Sequence, residues 1–249
     1  MQIITCAVIK GGTGKTATCA ALAQAGAHEG KKVLCVDLDP QGNLSNLFGA
    51  DKEAPGAAEL MQGAPILETI QETAQGVDII AGNTGLAVDP TEKSTVKKTA
   101  TIYELEKALE PIKKSYDLVI IDTPPAFGNL TYNALQAANG LLIPICADSD
   151  SFNGLLYIIE VAKLIRKTNK KLRVLGCIIT QYNPRPKISQ FMRDIVEAKG
   201  AKIKCPLLGV IRQGVAVPEA RTMRKNLFDY APKSKPAQDY MQIYKQIIK

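Results

Sequence analysis

Seven consecutive residues near the N-terminus carry the densest chemistry in the chain: Lys10, Gly11, Gly12, Thr13, Gly14, Lys15 and Thr16. Glycines, lysines and hydroxyls in one short stretch suit the binding of a polyphosphate. The glycines let the backbone approach the anion, successive N–H groups point at it, and a helix beginning there lends its N-terminus. Lys15 would neutralise β- and γ-phosphate oxygens, the Thr16 hydroxyl would hold Mg2+, and the backbone N–H of Ala17 would complete the cradle. The stretch departs from the ordinary pattern G-x-x-x-x-G-K-[ST], which requires glycine where Ile9 stands. The next residue is an additional lysine, Lys10, followed by two glycines.

Two further stretches supply carboxylates. The apolar run Val33 to Val36 ends in Asp37, Leu38 and Asp39, after which Pro40 and Gly42 force the chain out of a sheet. Leu118 to Ile121 ends in the same way at Asp122. Ligands of open parallel sheets sit at such carboxyl ends. Asp122 would hold the metal through water, because Mg2+ keeps part of its hydration shell, and Asp37 would support that shell. An apolar strand ending in Asp is by itself ordinary turn chemistry. All three motifs in this order point to a nucleotide site.

These groups must be positioned by alternating strands and helices. The apolar run Ile3 to Ile9 reads as a buried strand leading into the glycine loop, and Ala17 to Ala27 as the helix leading out. Further strands are expected at Val77 to Ala81, Gly140 to Cys146, Leu172 to Gln181 and Leu207 to Ile211, with helices at Ile102 to Lys114, Asn129 to Asn139, Phe152 to Lys167 and Ile188 to Lys199. Strands alternating with helices imply right-handed crossovers and an α/β fold, a doubly wound and mostly parallel sheet flanked by helices. A chain of 249 residues suits a single domain, 1–249, of this class. Residues 50–100, rich in Ala, Gly, Thr and Glu, read as short helices, one strand and a surface loop.

Lys10-Gly-Gly-Thr-Gly-Lys-Thr16 resembles the deviant Walker A motif, K-G-G-x-G-K-[ST], of the ParA/MinD group of dimerising P-loop ATPases. Asp37-Leu-Asp-Pro-Gln-Gly-Asn43 is similar to that group's D-x-D-P-Q-G-N switch, and Ile120-Ile-Asp122 to its Walker B strand. Ile211-Arg-Gln-Gly-Val-Ala-Val-Pro-Glu-Ala220 resembles its I-P-R-N-x-x-x-x-E-A segment near the adenine, with Arg212 where proline is usual. Asp229 to Ala237 resembles its Y-x-P-x-S-x-x-A run before the last helix. The resemblance implies ATP and Mg2+ as cofactors and an ATPase in which Lys10 reaches the partner's nucleotide across a homodimer and Asp39 orients the attacking water. It further implies an ATP-dependent dimer that binds DNA non-specifically and is stimulated by a ParB-like partner, a partition ATPase of the cytoplasm, nucleoid-associated when ATP-bound. Asn183, just past a strand end, and Arg212 would approach the base. A guanine site is not expected, since Asn169-Lys170-Lys171-Leu172 lacks the acid of N-K-x-D.

Charge is distributed unevenly. Residues 1–125 hold 11 lysines, no arginine and 16 acids, a net −5, whereas the remainder holds 20 basic residues against 8 acids, a net +12. Such asymmetry suits a polyanionic partner. Arg212, Arg221, Arg224 and Lys225 flank Glu219-Ala220 and are the expected DNA-binding strip, with Lys163 to Arg173 a second cluster. A solvated helix face would show the same charge pattern. Six cysteines without C-x-x-C or Cys/His ligand spacing argue for a reducing cytoplasm and against an iron–sulfur role. His28, before Gly30, is expected at a helix C-terminus. No apolar run is long enough to span a membrane, and the first strand begins where a signal peptide would lie. Two other functions share the motifs. A MinD-like membrane switch would use Tyr240 to Lys249 as an amphipathic lipid helix, although a core-facing helix is expected there. A ligase of the dethiobiotin-synthetase type would not require Lys10 or the switch segment.

Overall fold

The structure, a computed structural model, describes residues 1–87 and 101–248. Among these residues eight strands form one sheet: β1 (Gln2–Cys6), β2 (Val33–Asp37), β3 (Ile70–Gln71), β4 (Asp78–Ile80), β5 (Leu118–Asp122), β6 (Gly140–Ile145), β7 (Arg173–Tyr182) and β8 (Leu207–Arg212). Their spatial order is β3-β4-β2-β5-β1-β6-β7-β8, and every pairing is parallel except that of β3 with β4. Along the chain come helices α1 (Lys15–His28), α2 (Asn43–Phe48), α3 (Ala57–Met61), α4 (Glu104–Leu109), α5 (Asn129–Ala137), α6 (Ser149–Ile165), α7 (Lys187–Lys202), α8 (Ala216–Thr222), α9 (Leu227–Tyr230) and α10 (Lys235–Ile247). The expected doubly wound sheet is the observed one.

Alternation explains the two cores. In β5, Val119 and Ile121 join the cluster under α4, α5 and α6, while Leu118 and Ile120 join the one under α1 and α10. Because both faces are covered, the central strands are buried at every position and read as continuous apolar runs rather than alternating ones. The first of these runs is longer than its strand. The ladder stops at Cys6, where β5 ends at Asp122, and Val8 is instead buried as part of the loop entry.

Residues 50–87 contain α3 and two strands rather than one, since the two-residue β3 adds an antiparallel edge beside β4. The rest of the expected surface loop, 88–100, lies outside the described residues. The helix expected at Ile102 to Lys114 is α4 followed by a 3₁₀ turn over Glu110–Ile112, as Pro111 cannot continue the hydrogen-bond ladder. His28 ends α1 as expected, and its Nδ1 lies 3.7 Å from Asp229. The last helix faces the core: Tyr240, Ile243, Tyr244 and Ile247 are buried against β8 and α1. No helix among the described residues is long and apolar enough to cross a membrane.

Candidate nucleotide site

The chain crosses from one side of β1 to the other between β5 and β6, so the loop after β1 stands at the switch point of the sheet, where open α/β sheets bind ligands. Gly12 and Gly14 adopt φ of 76° and 77°, left-handed values that side-chain-bearing residues disfavour. A Cβ on Gly14 would also lie 3.2 Å from Thr180 Oγ1. The end of β7 seats the loop: Thr180 Oγ1 donates to the Thr13 carbonyl at 2.8 Å, and Gln181 Nε2 to the Gly12 carbonyl at 3.0 Å. Gly14 caps α1 without a side-chain hydrogen bond, and the first turn carries no acid. The N–H groups of Lys15, Thr16 and Ala17 are therefore available to an anion.

Lys15 is buried, with Nζ donating to the Lys10 carbonyl at 3.2 Å. Burial lowers its pKa, and Asp122, Cys19 and Asp39 oppose that shift. Register places the two principal carboxylates side by side, because Asp37 of β2 is directly paired with Asp122 of β5. Asp122 is fully buried and pushed up to about 7 by burial and the charge of Asp37, against the pull of Thr16 and Lys15. Its Oδ1 accepts from Cys19 Sγ at 3.6 Å, and its Oδ2 has no hydrogen-bond partner. A buried carboxylate oxygen without a donor is costly. The charges of Asp122 and Asp39 act on Lys15, and that of Asp37 on Asp122. The clustered carboxylates, the orphan oxygen of Asp122 and the neighbouring Thr16 hydroxyl fit a divalent cation held by hard oxygen ligands. Among the described residues no group of three or more ligating side chains encloses a metal. That suits Mg2+, which takes few protein ligands and completes its shell with phosphate and water.

The expected roles of Asp37 and Arg212 are corrected in part. Both Asp37 oxygens are engaged by protein: Oδ1 accepts from Asp39 N at 3.1 Å, and Oδ2 from Ser45 N at 2.9 Å and Ser45 Oγ at 2.7 Å. Asp37 thus braces the switch turn, and Asp122 is left as the carboxylate with an open oxygen. Ser45, with its hydroxyl accepting from Gly82 N at 2.9 Å, and Gly82, where a Cβ would lie 2.6 Å from the Asp39 carbonyl, are residues that no sequence motif marks. Asp39 is nearly buried and accepts from Gln41 N at 2.9 Å. The Arg212 guanidinium makes a bidentate pair with Asp239 of α10, Nε at 2.9 and 3.1 Å and Nη2 at 2.6 Å. This pair ties β8 to α10 and gives the guanidinium of Arg212 a protein partner of its own.

Asn183 is exposed beyond β7 and uses its Oδ1 to accept from Arg185 N at 3.0 Å, an Asx turn. Arg221 and Lys225 border a shallow cleft with Thr16, Ala17 and Ala20, and Arg221 Nη2 lies 3.3 Å from Asn43 Oδ1. Arg224, with φ of 50°, lies on the far side of that turn, where its carbonyl accepts from Gln75. Lys10 is paired with the start of α6. Its Nζ donates to Asp148 at 2.8 Å and lies 3.9 Å from Asp150, at the N-terminus of α6. That hydrogen bond raises the Lys10 pKa; at Asp148 desolvation pushes the carboxyl up, and the hydrogen bonds from Lys10 and Ser151, with the charge of Lys10, together hold it low.

A glycine cradle at a helix N-terminus, a buried lysine and paired acidic strand ends define a P-loop nucleotide hydrolase with an additional lysine. Residues 1–174 match the family model of the AAA domain. The chain is 32% identical to the sporulation initiation inhibitor protein Soj of Bacillus subtilis, covering 99% of this chain and 98% of that protein. It is 33% identical to the chromosome-partitioning ATPase Soj of Thermus thermophilus, over 96% and 92% of the two chains. The structure of cobyrinic acid a,c-diamide synthase from Mycobacterium smegmatis with bound ATP analog and magnesium superposes with a TM-score of 0.83 at 27% identity, covering 98% of this chain and 93% of that one. The chain belongs to the ParA/Soj-type ATPases of the AAA-domain family and is an ATPase.

Proposed function

We propose that this ATPase is a partition switch: Mg-ATP closes it into a homodimer, the dimer binds DNA without sequence preference, and a ParB-like partner stimulates hydrolysis to release it. Lys15, Thr16 and the N–H groups of residues 11–17 hold the phosphates, with Thr16 and Asp122 on Mg2+. Bound Mg2+ neutralises charge on the β- and γ-phosphates. Asp39 orients the attacking water, and Asp37 with Ser45 fixes the turn from which Asp39 projects. Arg221, Arg224 and Lys225 remain the DNA strip, with Arg221 beside the switch residue Asn43.

The observation that carries this reading is the pairing of Lys10 with Asp148 and Asp150. A lysine needed by its own nucleotide would sit in its own cradle, as Lys15 does. Lys10 is instead held at a half-exposed surface by two carboxylates, from which a second subunit's nucleotide can recruit it. The packed α10 leaves no apolar helix face for lipid, which favours this reading over a membrane switch. The test is co-sedimentation with DNA, and separately with liposomes, in ATP, in ADP and without nucleotide. A large ATP-dependent gain in DNA binding is expected; an ATP-dependent gain on liposomes instead would overturn the reading.

A further inference from the structure

The second basic cluster stands apart from the nucleotide. Lys163, Arg166, Lys167 and Lys170 line one open groove of about 320 Å3, and Lys171 and Arg173 follow in sequence, Arg173 at the start of β7. All six side chains are exposed. Lys163 pairs with Glu160 at 2.6 Å on its own helix. Among the described residues no carboxylate comes within 4.0 Å of the other five. Some of this charge suits the C-terminal carbonyls of α6. Helix-end stabilisation does not require four cations around one concavity, nor a rigid turn beneath them.

That turn is rigid. Asn169 is buried, and its Nδ2 donates to the carbonyls of Leu135, Gln136 and Ala138 at 3.0, 2.9 and 2.7 Å. Its Oδ1 accepts from Lys171 N at 3.1 Å. Thr168 Oγ1 donates to Gln136 Oε1 at 2.8 Å, and Leu172 is fully buried. The backbone from 168 to 172 is thereby clamped to the end of α5, and the lysines project from a fixed platform. Preorganised cations lose less entropy when they meet an anion than cations on a mobile loop.

We infer that this groove is a second binding surface for a nucleic-acid phosphate backbone, independent of the nucleotide state. It goes beyond the ATP-gated strip proposed above. Asp148, which holds Lys10, caps the start of α6, whereas the groove lies at its other end. Across the 17 residues of α6 the separation is about 25 Å, at the opposite ends of the strands from the phosphate loop. Closure about the nucleotide is therefore not needed to build it. A lipid surface would be joined by apolar side chains inserted among its headgroups, and Leu164 is the one exposed large apolar residue between Lys163 and Lys170.

The test is anisotropy of a short labelled duplex of arbitrary sequence with the full chain, in ADP and without nucleotide, at about 50 and about 200 mM salt. Wild type should bind at the lower salt in both states. Lys167→Ala/Lys170→Ala, checked for an unchanged thermal melt and ATPase rate, should flatten the salt slope by about 1.8, at about 0.9 per phosphate contact. Wild type should then lose about 12-fold more affinity than the variant over that salt range. No binding without ATP, an unchanged slope in the variant, or binding to phosphatidylserine vesicles but not to DNA would overturn the inference. If DNA binding appears only with ATP, the partition reading survives and this one fails; nucleotide-independent binding with no gain from ATP separates them the other way.

Discussion

Ser45→Ala should be far more costly than the loss of one hydroxyl from a surface turn. The hydroxyl is fully buried, donates to Asp37 Oδ2 at 2.7 Å and accepts from Gly82 N at 2.9 Å. Its removal takes a charge-assisted hydrogen bond from a buried carboxylate, about 1.5–3 kcal/mol, and leaves the Gly82 N–H without a partner, about 1–3 kcal/mol. Alanine returns nothing in exchange, and the Ser45 N–H alone remains on that oxygen. The sum is roughly 2.5–6 kcal/mol, a melting shift on the order of 10 °C for a domain of this size. Guanidinium unfolding followed by far-UV circular dichroism measures it, since the chain has no tryptophan. A matched control is Thr222→Val, whose exposed hydroxyl donates to the Pro218 carbonyl at 2.9 Å and should matter by less than about 0.5 kcal/mol. Because Asp37 also holds the Asp39 N–H, the ATPase kcat of Ser45→Ala should fall while KM changes little. A destabilisation below about 1 kcal/mol with an unchanged m-value would refute the claim that Asp37 is braced by this hydroxyl.

Asp39→Ala should keep ATP affinity and lose turnover by at least about 100-fold, seen as burst-free, slow phosphate release with normal equilibrium binding of a fluorescent ATP analogue. Asp122→Asn should lose Mg2+-dependent nucleotide affinity yet stabilise the nucleotide-free protein at high pH. Folding raises the Asp122 pKa to about 7, so the folded state holds a proton that the unfolded chain releases above about 4. Stability of the nucleotide-free wild type should therefore fall between about pH 4 and pH 7, and denaturation midpoints of the variant should show a smaller fall. Arg212→Ala should destabilise by about 1–2 kcal/mol, because Asp239 loses the guanidinium and keeps only the backbone N–H of residue 212, with unchanged ATP affinity; a selective loss of DNA or nucleotide binding would return Arg212 to the site.

The parts of the site that are legible in sequence are those carried by a local pattern. Glycine and lysine between a strand and a helix mark the cradle, and an apolar run ending in an acid marks each of Asp37 and Asp122. That these two carboxylates touch the same space follows from the order of β2 and β5, which the alternation of strands and helices implies but does not spell out. What was not legible depends on register between distant segments. Ser45 and Gly82 meet because α2 folds back over the end of β4, and neither belongs to a motif of its own. Arg212 looks like a free cation in one dimension, and its partner Asp239 comes only from packing α10 on β8. β3 spans two residues and α9 four, too short for any periodicity to show.

The central claim is that Lys10 serves the partner's nucleotide and not its own. Light scattering of Asp39→Ala, loaded with Mg-ATP to prevent turnover, measures it most directly when compared with the same variant carrying Lys10→Ala. The first should run at twice the 26.8 kDa chain mass, and the second should bind ATP with similar affinity yet stay at the single-chain mass. Equal dimer formation by both proteins, or loss of ATP binding by the Lys10→Ala monomer, would contradict it.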